Sequence, residues 1–402
     1  MGSVKDLVVA GFGSNYYNVA TPQTWGFGVW DVSGRWSVAD LKSLLPSYEV
    51  KGQAEALAMS TAAYFEAAAG AGINSCYVGM LDRSGCVVSV DQLLDRGETS
   101  HHVAMMLANV PRGKGHEPRR AYHDAINRGE ISIYVADAEA IFRRGLPLGS
   151  STFGKICRAG DVGEEYERAA TYDQTVAVLK KVKSEGRVLE LLATLGLTSV
   201  PHPGIILPEP VFNYTTKFHP AGDLDMNDDE VLAAFGNNAQ TYAKAQELLG
   251  QTARHQQEFC EERGIVNIDG KVEMVVSGQD VLLGDFACTP HENRLMLPYE
   301  RDGVTYLLPT NKEIARALFR QEGVYAARDE AKLQHGDDWM NHFYKHFPRE
   351  KLEPLAQHAS EVMSDALLMV ANKMLGREVF SHRRLEDWVD TFLPYASRME
   401  SK

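Results

Sequence analysis

Asp269, Lys271 and Glu273 occupy alternate positions in the stretch GIVNIDGKVEMVV, residues 264–276. In a β-strand alternate residues share a face. Two acids and a base therefore line one side, while Ile268, Val272 and Met274 line the other. A turn, SGQD, follows, and then VLLGDFACTPHENR, so the simplest reading is a β-hairpin. Loop length decides where Asp285 points, because a one-residue slip inverts every side chain. A three-residue loop sets Asp285 opposite Lys271; a two- or four-residue loop sends it to the other face. We expect the shared face, through an odd loop or a bulge. Three carboxylates around one ammonium repel on balance, and a divalent cation would relieve them. Mg²⁺ prefers oxygen ligands and commonly takes one or two carboxylates plus nucleotide phosphates. Glu273 and Asp285 are thus the expected metal ligands. Lys271 would hold phosphate oxygens or a carboxylate under activation. A surface hairpin with a solvated charge ladder has the same spacing.

Other reactive residue types say less. Cys76, Cys86, Cys157, Cys260 and Cys288 are scattered, with no C-x-x-C, which fits free thiols in a reducing compartment. His342 and His346, four apart on an expected helix with His335 nearby, lack a third ligand of clear spacing and read as structural or exposed, as do His101 and His102. His291 differs, because it lies beside the proposed site.

The elements that must position these groups follow from pattern. Residues 5–40 alternate short apolar runs with turn residues and suggest a small antiparallel sheet. Residues 52–70 are Ala-rich and closed by glycine, a helix. CYVGML and CVVSV look like strands. Together these give an N-terminal β-rich domain over 1–110. Residues 111–130 hold local positive charge and read as a basic loop or insertion, or as a lid over an anionic ligand. An α/β domain spans 131–309, with a charged helix near 173–196 and an amphipathic helix over 238–262 whose Ala245, Leu248, Leu249, Thr252 and Phe259 share a face. Residues 310–402 are mostly helical, and Val362, Met363, Ala366, Val370 and Met374 form a core stripe. The fold class is α+β.

Composition bounds the partners. With 41 Lys and Arg against 54 Asp and Glu, the formal net charge is −13. That disfavours nucleic acid, whose binding runs on basic residues. No apolar run is long enough to span a membrane. The first residues lack a basic-then-apolar signal pattern, so a cytoplasmic location is expected. A homo-oligomer is compatible with the sequence.

Several stretches in the same order resemble the SAICAR synthetase family of ATP-dependent amide ligases. GIVNIDGKVEM is similar to that family's D-x-K-x-E strand, DFACTPHENR to its D-E-x-x-T-P-D-S-S-R, and LPEPVFNYTTK (207–217) to its L-P-E-P-I-F-T-P-T-T-K. GDLDMN, RGLPLGS (144–150), VKG and SGRWSVAD (33–40) add collinear matches. The resemblance implies an ATP-grasp-like fold and Mg²⁺–ATP on Glu273 and Asp285. It places Lys271 and Asp269 around the reacting carboxylate, Arg144, Ser150 and Arg294 on substrate, and Lys217 on the lysine of T-T-K. Arg35 falls in a substrate segment, and Asp40 and Asp225 fall on acidic positions near the acceptor and amine sites. Departures are equally specific. Gly13 and Ser14 stand where the family has Gly-Lys, leaving backbone N–H groups to cover phosphates. Phe286 replaces the second acid, and Glu292 adds a negative group near the substrate.

These features point to a ligase that activates a carboxylate with ATP and joins it to an amine such as an amino acid. The departures suggest an azole or nucleoside-like acid, with natural-product biosynthesis as one setting. A small-molecule kinase and a catalytically silent binding subunit also fit the sequence.

Overall fold

The structure, a computed structural model, describes residues 5–11, 27–33, 49–113, 115–310 and 312–399. It contains two antiparallel sheets. The first has the order β1 (Lys5–Gly11), β2 (Phe27–Val32), β5 (His102–Met106), β3 (Tyr77–Leu81) and β4 (Val87–Val88). The second runs β12 (Ser397–Met399), β11 (Val304–Pro309), β10 (Asn293–Arg301), β8 (Val266–Ser277), β6 (Ile133–Leu146) and β7 (Ile205–Thr215), with β9 (Asp280–Gly284) pairing to β8. Pro208 and Pro210 fit β7 because it lies at the edge of this sheet, where a missing N–H breaks no ladder.

The sheets meet where segment 74–76 runs beside β9. Cys76 donates its N–H to Leu283 O at 2.7 Å, and Leu283 returns one to Asn74 O at 3.0 Å. One apolar cluster draws residues from Val32 to Ala396, on both sides of the expected boundary near residue 110. Helix α1 (Gln53–Gly70) crosses this junction and packs against α6 (Arg349–Leu375). The stripe from Val362 to Met374 is buried there, as expected for core.

Local chemistry explains the elements nearest the site. Helix α4 (Ala239–Glu261) starts at Asn238, whose side chain accepts the N–H groups of Gln240 and Thr241. It buries Ala245, Leu248, Leu249, Thr252 and Phe259, then stops at Gly264 in the left-handed region. Gly270 in β8 is required by close packing. A Cβ there would lie 2.4 Å from Asn293 Nδ2 and 2.6 Å from Phe142 Cζ.

Two expectations change. Residues 116–127, expected as a basic loop or insertion, form helix α2 (His116–Asn127). The charged helix near 173–196 is two short helices, Tyr172–Leu179 and Gly186–Ala193, separated by a turn. Among the described residues, no helix is long and apolar enough to cross a membrane.

Candidate active site

The charged face of β8 is matched by an equally charged face on β6. Glu139 pairs with Glu273, Ile141 with Lys271 and Arg143 with Asp269. Directly opposed residues share a face of the sheet. The reverse face carries Ala140, Phe142, Val272 and Gly270, and α4 covers it. Asn293, opposite Gly270, donates there to Gln256 Oε1 of α4 at 2.7 Å.

On the charged face the ions pair off. Lys271 Nζ reaches Glu139 Oε1 at 3.1 Å and Glu292 Oε2 at 3.4 Å. Lys217, just beyond β7, forms an ion pair with Glu273 and lies 3.8 Å from Glu139. Arg294 Nη1 meets Asp269 Oδ2 at 2.5 Å, and its Nη2 donates to Gly149 O at 3.4 Å. Glu313, at the start of helix α5 (Glu313–Gln321), accepts from Arg316 at 2.6 Å and sits 3.8 Å from Arg294. The protein's own cations therefore answer the acids of β8. Repulsion among carboxylates does not by itself demand a metal here.

Burial and charge act in opposite directions on these groups. Desolvation pushes the Lys217 ammonium down, but Glu273, Asp285 and Glu139 outweigh it and raise its pKa. Lys271 behaves likewise, with Glu292 and Glu139 the main counter-charges. Lys312 differs. Burial holds it below the ordinary lysine value, and the Glu292 charge does not compensate. Its Nζ donates to His291 O at 3.2 Å.

Asp285 reaches this group by a different route from the one expected. Ser277 pairs with Asp280, so the hairpin loop is the two residues Gly278 and Gln279. Glu273 pairs with Gly284, where β9 ends. That parity alone would send the next residue to the covered face. Asp285 instead adopts φ 54°, the left-handed region, which redirects the chain. Its carboxylate accepts the Phe286 N–H at 2.7 Å, and its charge bears on Lys217 with that of Glu273. Thr61 of α1 holds the following loop, donating to Ala287 O at 3.0 Å and accepting from Ala287 N at 3.1 Å.

The remaining candidates divide. Ser150 is fully buried and caps helix α3 (Ser151–Ala159), accepting from Thr152 N at 3.4 Å. It adjoins the group only through the neighbouring Gly149 carbonyl. Asp225 is on the rim, 2.6 Å from Lys155 of α3. His291 is buried in the loop before β10. Glu292, read as an added negative charge, is paired with Lys271. Arg144 is not brought to the group. It lies 4.0 Å from Glu261, at the end of α4 on the covered side. Arg143, one residue earlier, takes the charged face, with Nε 3.9 Å from Asp269. Gly13, Ser14, Arg35 and Asp40 lie outside the described residues.

Sequence reasoning missed Glu139, Arg143, Lys312 and Glu313. For the first two a signal existed: VADAEAIFR places Asp137, Glu139, Ile141 and Arg143 at alternate positions, as in β8. Asp137 is fully buried and binds Arg119 at 2.5 Å, His123 at 2.8 Å and the Phe218 N–H at 2.8 Å. Arg119 and His123 of α2 are thus turned inward onto the sheet. A hollow of about 20 Å³ is lined by Gly149 and Glu313, at the Arg294 end of the group. A larger one of about 480 Å³, between Lys51 and α6, takes none of the group's residues.

Comparison with known proteins bears on this arrangement. The SAICAR synthetase family profile matches residues 193–327, which include β8, β9 and the loop carrying Asp285. A provisionally named phosphoribosylaminoimidazole-succinocarboxamide synthase of Archaeoglobus fulgidus is 24% identical over 97% of this chain and 98% of its own. The phosphoribosylaminoimidazole-succinocarboxamide synthase of Thermoplasma acidophilum is 25% identical over 46% of this chain and 59% of its own. The SAICAR synthase of Saccharomyces cerevisiae, solved in complex with SAICAR, superposes with TM-score 0.47 at 12% identity, over 94% of this chain and 100% of that one. The chain is thus similar to the SAICAR synthetase family over residues 193–327, and at lower identity to the Archaeoglobus fulgidus relative along nearly its whole length.

Proposed function

We propose that the chain converts an azole or nucleoside-like carboxylic acid to an acyl phosphate and passes the acyl group to an amine, on the charged face of β6 and β8. The supporting observation is the gathering of Glu139, Glu273, Asp285, Lys217 and Lys271 beside the Arg294–Asp269 pair. A carboxylate oxygen of the acid attacks the γ-phosphorus of ATP, the bond to ADP breaks, and ADP leaves. The neutral amine then attacks the acyl carbon, and inorganic phosphate departs with the bonding pair. Such transfer needs alignment and charge neutralisation more than covalent help from the protein.

Three carboxylates with oxygen donors fit a hard dication. Glu273 and Asp285 would hold Mg²⁺, which would supply positive charge to the phosphates. Lys217 and Lys271 hold phosphate oxygens or the acid under activation. Arg143 and Arg294 orient the acid. Asp225, on the rim beside Lys155, takes the proton the amine gives up.

The test is a screen of acids crossed with amino acids, scoring ADP release and amide product. ADP release that needs both partners supports the reading. A stable phosphorylated product without any amine would mean a kinase. Absence of Mg²⁺–ATP binding by calorimetry would mean a silent subunit.

A further inference from the structure

A second cluster of ligand-type side chains lies on the first sheet. Asp31 of β2 stands opposite His102 of β5. His101 comes just before β5, and its ring lies beside that of His102 with centroids 4.2 Å apart. His101 Nε2 is 3.5 Å, and His102 Nε2 3.9 Å, from the same oxygen, Asp31 Oδ1. The ligand atoms of the three residues all lie within 4.8 Å of one another. Behind them Glu55, in the first turn of α1, sets Oε1 3.7 Å from the other nitrogen of His101, Nδ1.

We propose that Asp31, His101 and His102 bind a transition-metal dication of the Zn²⁺ type, with Glu55 orienting His101. Two imidazoles and one carboxylate are a ligand set for zinc, nickel or copper; magnesium takes oxygen. Four-coordinate zinc, with bonds of about 2.0–2.1 Å, sets neighbouring ligand atoms about 3.3 Å apart. The two separations to Asp31 are within a small side-chain rotation of that value. His101 can offer one nitrogen to the ion. Its Nε2 faces Asp31, which leaves Nδ1–H for Glu55. That carboxylate–imidazole–metal arrangement is the usual way a ligating histidine is held.

Access fits as well. The side chains of Asp31, His101 and His102 are 43%, 39% and 37% exposed, so an ion can enter from solvent and keep a water as fourth ligand. The competing account is an ordinary exposed ion pair between an aspartate and two histidines. His335 and His342 also stack, at 3.4 Å, beside Asp338. Among the described residues, though, the group at Asp31 is the one that offers three such atoms together.

The experiment is calorimetric titration of Zn²⁺ into the full-length, tag-free chain after chelator treatment, with Mg²⁺ present in excess. One Zn²⁺ per chain is expected. Affinity should fall at least about tenfold in His102→Ala and about tenfold in Glu55→Gln, a substitution on the helix surface that keeps the fold. His342→Ala should bind as the parent does. Co²⁺ should give the visible absorption of a low-coordinate site in the parent and lose it in Asp31→Asn. Circular dichroism confirms that each variant is folded. The proposal is overturned by a folded parent chain that takes up no stoichiometric Zn²⁺. It is equally overturned by binding that survives in folded Asp31→Asn and His102→Ala, or that disappears in His342→Ala.

Discussion

Glu139 and Glu273 stand directly opposite each other on adjacent antiparallel strands. Like charges in that position are destabilising. Here each carboxylate has its own ammonium: Lys271 at 3.1 Å from Glu139, and Lys217 on Glu273. The pairs cross-link three strands, since Lys217 follows β7, Glu139 is on β6, and Lys271 and Glu273 are on β8. The two lysines are thereby held charged on one face of the sheet.

Glu273→Gln keeps the shape of the side chain and removes its charge. We expect acid- and amine-dependent ADP release to fall by on the order of 10²–10³. The melting temperature should stay within a few degrees of the parent. Steady-state ADP assays with a thermal melt measure both. Full activity in this variant would remove Glu273 from the machinery.

Glu139→Gln tests the residue that the β8 pattern alone did not reveal. It weakens a buried charge-assisted contact to Lys271 and leaves that ammonium relying on Glu292. A loss of about 1.5–3 kcal/mol of stability is expected, together with lower kcat. Urea unfolding and initial rates check the two effects. Unchanged values in both would mean that the pairing is incidental.

Arg143 and Arg144 should behave differently because they leave β6 on opposite sides. Arg143→Ala should raise KM for the acid by at least about tenfold, the cost of one charge-assisted contact. Arg144→Ala, whose partner is the exposed Glu261, should change KM less than about threefold. The reverse ranking in a kinetic comparison would place Arg144, as the motif RGLPLGS implied, on the substrate.

Thr61→Val removes the hydroxyl that serves both the N–H and the carbonyl of Ala287 while nearly preserving volume. Leaving those buried groups unsatisfied costs about 1–3 kcal/mol. Because that loop carries Asp285, nucleotide affinity should weaken as well. Calorimetry with Mg²⁺–ATP on a folded variant measures this. Undiminished affinity would uncouple α1 from the site.

Glu313 gives a signed pH dependence. Burial opposes its ionisation, but Arg316, Arg294 and Lys312 outweigh it and hold the carboxyl below its ordinary value of 4.5. A depressed folded pKa contributes stability that is present above 4.5 and lost as pH falls through the folded value. The stability gap between the parent and Glu313→Gln should therefore be full near neutrality and close as pH falls below 4.5 through the folded value. A gap that stayed constant through the acid range would contradict the ionised network around Arg294.

The amino-acid sequence by itself determined the periodicities. Alternation at 269, 271 and 273 made a one-faced charged strand, Ala-rich composition closed by glycine made the helix over 52–70, and a 3.6-residue stripe made the helix over 238–262, because these signals act within one segment. The order of motifs carried the family resemblance for the same reason, since it needs no contact between distant residues. Only the tertiary structure decided what faces that strand. Glu139 arrives from 134 residues upstream of Glu273, a pairing set by register between strands. Asp285 joins through one left-handed residue, not through the length of its loop. Arg143 and Arg144 are exchanged by the pleat of β6. Asp31 meets His101 and His102 only because β2 lies beside β5. For the strand pairings the deciding quantity is a distance across the fold, and no spacing along the chain says which strand will lie opposite.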